Sequence, residues 1–193
     1  MLILGSASPR RQALLREAGF RFRVVVPGVT EHNPERGDPA HVALFNASCK
    51  AMSIEGEAVL AADTVVALGD RLLGKPADDD QAREFLRLLS GTTHSVVTGV
   101  ALRLQGEIAA ECVETRVTMR TVEPDEIEAY VASGESRGKA GGYAIQETAD
   151  RFVTSIDGPY DNVVGLPMDL VRRLIEEAAG DGWESVFLDR GTS

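Results

Sequence analysis

Residues Ala58 to Leu68 read AVLAADTVVAL, apolar from end to end except for Asp63 and Thr64 at the middle. A run of this kind reads as a buried strand. A carboxylate inside it is costly to bury unless a cation or a bound water needs it. Two readings of Asp63 stand at this point: a functional carboxylate, or a strand-end residue at the surface or structural hydrogen-bond acceptor.

The rest of the chain alternates in class. Leu2 to Leu4 is a short buried strand, and Ser8 with Pro9 opens a helix that Gly19 stops. Phe22 to Val26 is a second strand, ended by Pro27 and Gly28, with Glu31 just beyond it. From His41 to Ile54 the apolar residues Val42, Phe45, Cys49 and Met52 recur at spacings of three and four, which predicts an amphipathic helix carrying Lys50. Asp78 to Leu89 is a capped helix, and His94 to Leu104 and Ile108 to Arg120 form a hairpin turning at Gln105 and Gly106. Pro124 opens a helix through Val131, the glycines from Gly134 to Gly142 mark a long loop, Val153 to Ile156 is a short strand, and Pro167 to Ala179 is a closing helix. Early strand–helix alternation followed by a hairpin places the chain in the α/β class with a mixed sheet. Residues 1–179 are expected to form one domain and 180–193 a loosely held tail.

Charge narrows the partners. The formal charge of −10 over 193 residues opposes binding a nucleic-acid backbone. No apolar run approaches the roughly 20 residues that cross a bilayer, so no membrane partner is expected. The opening MLILGSASPRR carries its basic residues after the apolar stretch, the reverse of a signal peptide, and a cytoplasmic location is expected. Cys49 and Cys112 stand far apart without nearby His or Cys partners, which argues against zinc and disulfide frameworks. A small anion can still be held in a local basic pocket.

Ser6-Ala7-Ser8-Pro9-Arg10-Arg11 supplies two hydroxyls, a helix start and two guanidinium groups directly after a strand, as a phosphate cradle needs. The same residues also suit a plain helix cap with solvated arginines. Neither GxxxxGK[ST] nor GxGxxG occurs. Glu31 falls just beyond the end of another strand, so it and Asp63 can converge at one sheet edge, where two carboxylates can hold a hydrated cation or activate water, though Glu31 alone reads more readily as a surface acid. Lys50 and Lys75, the latter in Gly74-Lys75-Pro76, are point charges suited to phosphate oxygens or to solvent. His94, near a strand start, reads as a structural or exposed residue without a catalytic role. The segment KAGGYAIQ from Lys139 to Gln146 offers close backbone approach, an aromatic and an amide, or an ordinary glycine loop.

Taken in order, SASPRR, Glu31, Lys50, AADTVV, GKP, SGTTHSVVTGV, KAGGYAIQ and GPYDNVVGLP resemble the Maf family of nucleotide pyrophosphatases from Leu2 to about Leu174. The resemblance implies an elongated mixed sheet flanked by helices, similar to inosine-triphosphate pyrophosphatases, with two lobes and a nucleotide cleft between them. It also implies a homodimer, a divalent cation (Mg²⁺ or Mn²⁺), and hydrolysis of a nucleoside triphosphate to monophosphate and pyrophosphate. By the same resemblance Asp63 matches the residue proposed as proton acceptor. Arg10, Thr64 and Gln146 match positions linked to substrate choice, and Ser8, Arg11, Glu31, Lys50 and Lys75 match polar cleft residues. The carboxylates of Glu31 and Asp63 are expected to hold the metal. The KAGGYAIQ form looks like the branch acting on dTTP and UTP rather than on 7-methyl-GTP. A Gln amide can donate to O4 and accept from N3–H of thymine or uracil. Gly138, Glu147 and Pro159 depart from the family pattern and leave the ranking among pyrimidines open. The rival readings are a nucleotide-binding regulator of septum formation and an enzyme releasing only the γ-phosphate.

Overall fold

The computed structural model describes residues 1–146 and 148–189. Its centre is the predicted buried strand, β3 (Ala58–Leu68). Before it come β1 (Leu2–Gly5), α1 (Pro9–Glu17), β2 (Phe22–Val24) and α2 (Pro39–Met52). After it come β4 (Arg71–Leu73), α3 (Asp79–Leu89), β5 (Thr93–Leu104), β6 (Glu107–Met119), α4 (Pro124–Ala132), β7 (Val153–Asp157), α5 (Tyr160–Val164), α6 (Met168–Ala179) and α7 (Trp183–Phe187). Among the described residues the strands form one mixed sheet in the order β2-β1-β3-β5-β6-β7, with β4 also on β3. The pairs β1–β2 and β1–β3 are parallel; the remaining pairs are antiparallel.

One feature of this topology makes the site. On one side, β3 pairs first with β1, up to Gly5 opposite Ala61, and later with β4, from Val66 opposite Leu73. Between these pairings the backbone of residues 62–65 has no strand neighbour on that side among the described residues, while β5 continues unbroken on the other, placing Asp63 opposite Gly99 and Thr64 opposite Thr98. The chain leaves the end of β1 for α1 at this gap, the kind of opening beyond a strand's carboxyl end where α/β sheets bind ligands.

Strand alternation sends Asp63 and Thr64 to opposite faces. On the Asp63 face, α2 covers Val59, Ala61, Val65 and Ala67. On the Thr64 face, one apolar cluster joins α1, α6 and α7 to Leu60 and Ala62, and a second joins α3 and α4 to Val66 and Val96. A polar seam separates them, in which Thr64, Thr98 and Asn162 are linked by hydrogen bonds.

The helix α2 forms where its pattern predicts, capped by Asp38, but of the predicted apolar residues only Val42 is buried, and the inward face is turned toward other positions. Phe45 and Met52 are 49% and 59% exposed, whereas Ala43, Asn46, Ala47, Lys50 and Ala51 are buried. The reason is close packing: a Cβ built on Gly99 of β5 would lie 2.5 Å from the carbonyl carbon of Ala43. Only small side chains fit that interface, so the alanines spaced by four, not the large residues, define the inward face. Gly99→Ala must push α2 outward, and we expect a loss of about 1–3 kcal/mol in denaturant unfolding, together with lower turnover, since α2 carries Lys50. Wild-type values of both would contradict this packing.

The end of the chain also differs from expectation. Within the segment expected as a loosely held tail, Trp183 and Phe187 are buried, Trp183 stacks on Phe20 with ring centroids 5.9 Å apart, and Leu188 forms a bridge with Phe20. Two buried aromatics each contribute about 1.5–3 kcal/mol, enough to dock so short a helix. Residues 190–193 of that tail, and Glu147, lie outside the described residues.

Candidate active site

A cavity of about 550 Å³ opens at the gap beside β3. Its walls include Ser8, Arg10, Arg11, Glu31, Lys50, Asp63, Thr64 and Lys75, so eight of the nine residues singled out from the sequence are brought together. Gln146 is exposed and is not among the lining residues, although Tyr143 and Ile145 of the same segment are. Gly138, one of the departures from the family pattern, lines the cavity with a φ of 70°, which a glycine accepts without strain.

The phosphate-cradle segment folds as its residues dictate. Ser8 caps α1, its Oγ accepting from the Arg11 N–H at 3.5 Å, and Pro9 needs no partner for the N–H it lacks. The two readings of this motif are therefore compatible: the same serine caps the helix and faces the cavity. Arg11, however, is already committed. Its Nε donates to Gly165 O at 2.8 Å, Nη1 to Ala62 O at 2.8 Å and Ser6 Oγ at 3.3 Å, and Nη2 to Thr64 Oγ1 at 2.9 Å. The Ala62 carbonyl can accept because the sheet is interrupted there. Burial lowers the Arg11 pKa and Asp63 opposes the shift; a guanidinium remains protonated regardless. Thr64 continues the chain of donors: Thr98 Oγ1 donates to Asn162 O at 3.0 Å, so in the 2.9 Å Thr64–Thr98 bond the proton comes from Thr64.

On the opposite face of the strand, Lys50 sits between two carboxylates. Its Nζ lies 2.6 Å from Asp63 Oδ1 and 2.7 Å from Glu31 Oε1, with Ala62 O at 3.4 Å. Glu31 Oε2 also accepts from Lys75 at 2.8 Å. Burial by itself raises the Glu31 pKa, but the hydrogen bonds and charges of Lys50 and Lys75 outweigh it and hold the group at about 2. Glu31 does not lie at a strand end: β2 stops at Val24, and residues 25–34 run irregularly.

That irregular segment is held by a residue the sequence reading did not single out. Asn46, 2% exposed, donates from Nδ2 to Asp63 Oδ2 at 2.9 Å and to His32 O at 2.9 Å, while its Oδ1 accepts from the His32 N–H at 2.8 Å. The available signal was its spacing of four from Lys50, which puts both on one face of a helix.

Two carboxylates sharing one ammonium fit a hard divalent cation of the kind that takes one or two protein carboxylates and completes its shell with water and phosphate oxygens. Among the described residues no group of three His, Cys, Asp or Glu side chains exists to hold a metal without such help. Away from the charges, His94 Nε2 and Tyr143 Oη are 2.7 Å apart, and burial lowers the His94 pKa to about 4, leaving it neutral at pH 7. This matches a structural histidine, here supporting a cavity-wall aromatic. At that end Val66, Val96, Tyr143, Ile145 and Val163 give the cavity an apolar wall.

Among the described residues no helix is long and apolar enough to cross a membrane. A family profile described as Maf-like protein matches residues 1–178. A protein of Hyphomonas neptunium named dTTP/UTP pyrophosphatase is 49% identical over 179 residues, covering 91% of this chain and 94% of its own. Proteins of the same name from Chelativorans sp. and Brucella abortus are 45% and 44% identical, covering 95% and 99% of this chain and 92% and 96% of theirs. The solved structure of a HAM1 protein from Coxiella burnetii aligns over 92% of this chain and 98% of its own at 16% identity with a TM-score of 0.47, a likeness too slight to decide anything. With the profile spanning nearly the whole sequence and relatives close to half identical, the chain belongs to the Maf-like family.

Proposed function

We propose that this protein hydrolyses dTTP and UTP to the monophosphate and pyrophosphate, the activity named for its relatives. The observation that carries the reading is the placement of Asp63 at a sheet gap. It is bonded to Lys50, with Glu31 and Lys75 beside it, and a helix start bearing Ser8 and Arg10 borders the same cavity.

In this reading Lys50, Lys75 and Arg10 draw the triphosphate into the cavity against the protein's net negative charge. Arg11, held by four hydrogen bonds, braces the α1 start and Ala62 instead of turning freely to the phosphates. Asp63 orients a water and takes its proton as the oxygen attacks the α-phosphorus. The new O–P bond forms as the bond from the α-phosphorus to the bridging oxygen breaks, and that oxygen leaves with pyrophosphate. Glu31 and Asp63 are the residues that would hold Mg²⁺ or Mn²⁺, which when bound supplies neutralising charge to the phosphates.

The apolar wall around Tyr143 and Ile145 suits a base, and Gln146 must turn inward from its exposed position to read it. Incubating the protein with Mg²⁺ and dTTP, UTP, CTP, GTP or 7-methyl-GTP tests the whole reading. Monophosphate with pyrophosphate from dTTP and UTP is the expected result, and orthophosphate release or binding without turnover would contradict it. Gln146→Ala is expected to narrow the spread of kcat/KM among the pyrimidine triphosphates more than it lowers the best of them. An unchanged ranking rejects base reading by Gln146.

A further inference from the structure

We infer that Asn46 is a positioning residue for the reaction, fixing the irregular segment that carries Glu31 against Asp63; this rests on the pyrophosphatase reading above. Glu31 belongs to a stretch with no strand partner to set its place, yet Lys50 can bridge Glu31 and Asp63 only if the two carboxylates stay within reach of one ammonium. Asn46 provides the link. Its amide meets the backbone of His32, the next residue after Glu31, at both N–H and C=O. That pairing works in one orientation only: the oxygen must face the N–H and the nitrogen the carbonyl. The second amide proton is thereby aimed at Asp63 Oδ2. Both donors are used and the oxygen is occupied, in a residue almost wholly withdrawn from solvent. Asn46 and Lys50, one helical turn apart on α2, thus grip opposite oxygens of the same carboxylate. The contact of α2 on Gly99 sets the height of both.

The chemistry requires an amide here. A hydroxyl cannot span His32 and Asp63 together, and a carboxylate would accept from His32 N–H but present its other oxygen to Asp63 without a proton. Asn46→Asp therefore keeps the volume and reverses the contact. In the full-length protein assayed with dTTP and Mg²⁺, we expect Asn46→Asp to lower kcat on the order of 10²-fold, the scale of an ångström-sized misplacement. For the neutral Asn46→Ser the Kd of a non-hydrolysable dTTP analogue is expected to change by less than about threefold, since Lys50, Lys75 and Arg10 keep their charges, whereas Asn46→Asp weakens it by adding negative charge beside Asp63. Asn46→Ser, smaller and neutral, is measured in parallel, and turnover is counted per folded molecule, so that partial unfolding of one variant does not decide the result.

The discriminating readout is a double-mutant cycle with Glu31→Gln. If Asn46 acts partly by holding Glu31, its replacement costs much less in the Glu31→Gln background, and the two losses fail to multiply. Losses that multiply, or a folded Asn46→Asp with kcat within about threefold of wild type, overturn the assignment. A wild-type protein that releases no pyrophosphate sinks the pyrophosphatase reading itself, whereas an active wild type with unaffected Asn46 variants sinks only this inference.

Discussion

Asp63→Asn is expected to abolish most turnover, by about 10²–10⁴-fold, while leaving triphosphate binding intact or tighter. The substitution keeps the side chain's size but removes the group that accepts the water's proton. It also removes a negative charge from the side of the cavity where phosphates must sit, so repulsion of substrate falls. A second effect accompanies it. Asp63 lies between two donors, Lys50 Nζ on one oxygen and Asn46 Nδ2 on the other. An asparagine can offer its oxygen to only one of them and must turn its NH₂ toward the other, leaving two donors face to face. A buried donor left unsatisfied costs about 1–3 kcal/mol, so the variant should also unfold at lower denaturant. Rate and analogue affinity, measured together, separate the two effects. Turnover near that of the wild type would remove Asp63 from its proposed role.

Lys50→Met should be the most destabilising of these changes. The ammonium is the shared partner of Asp63 and Glu31 and also reaches Ala62 O. Removing one member of a buried pair costs about 3–5 kcal/mol, against a total stability of about 5–15 kcal/mol for a typical domain. The effect has a sign in pH. Glu31 is held at about 2, below its ordinary 4.5, so its pairing stabilises the fold above 4.5 and that contribution is lost as pH falls toward 2. With Lys50 gone, burial of Glu31 is opposed by Lys75 alone and the depression shrinks. The gap between wild type and Lys50→Met in denaturant midpoint is therefore expected to be widest above pH 5 and to narrow toward pH 3. A gap that stays constant with pH would show that the lysine stem, not its charge, matters. Turnover of the variant should be negligible throughout.

Much of this arrangement is readable before any coordinates, because its signals are local. Ser8 before Pro9, Asp78 at the head of α3 and Pro124 mark helix starts that form as expected. Asp63 stands out because nine apolar or small neighbours surround two polar residues in one strand. What escapes the sequence depends on partners far along the chain. Asn46 looks like an ordinary helix residue until His32 and Asp63 are placed around it. The outward turn of Phe45 and Met52 follows from Gly99, some fifty positions later, which excludes large side chains from the interface. Arg11 reads as part of a phosphate cradle or as a solvated arginine, but four of its five N–H groups go to Gly165, Ala62, Ser6 and Thr64. Gln146 has base-reading chemistry, and composition carries no information about which way its loop presents it. Trp183 and Phe187 lack enough periodicity to announce a helix, yet Phe20 gives them a place to dock.

The interruption beside β3 has a consequence for how this protein can vary. Asp63 and Thr64 serve different faces because they are adjacent in a strand, so inserting or deleting one residue between β3's pairing with β1 and its later pairing with β4 would exchange the faces. The lysine bridge and the Arg11 anchor would then both lose their partners in one step. One contact there survives any substitution, since the Ala62 carbonyl that meets Arg11 and Lys50 belongs to the main chain, and no side-chain replacement removes it. The length of the strand is therefore held as tightly as the identities of Asp63 and Thr64.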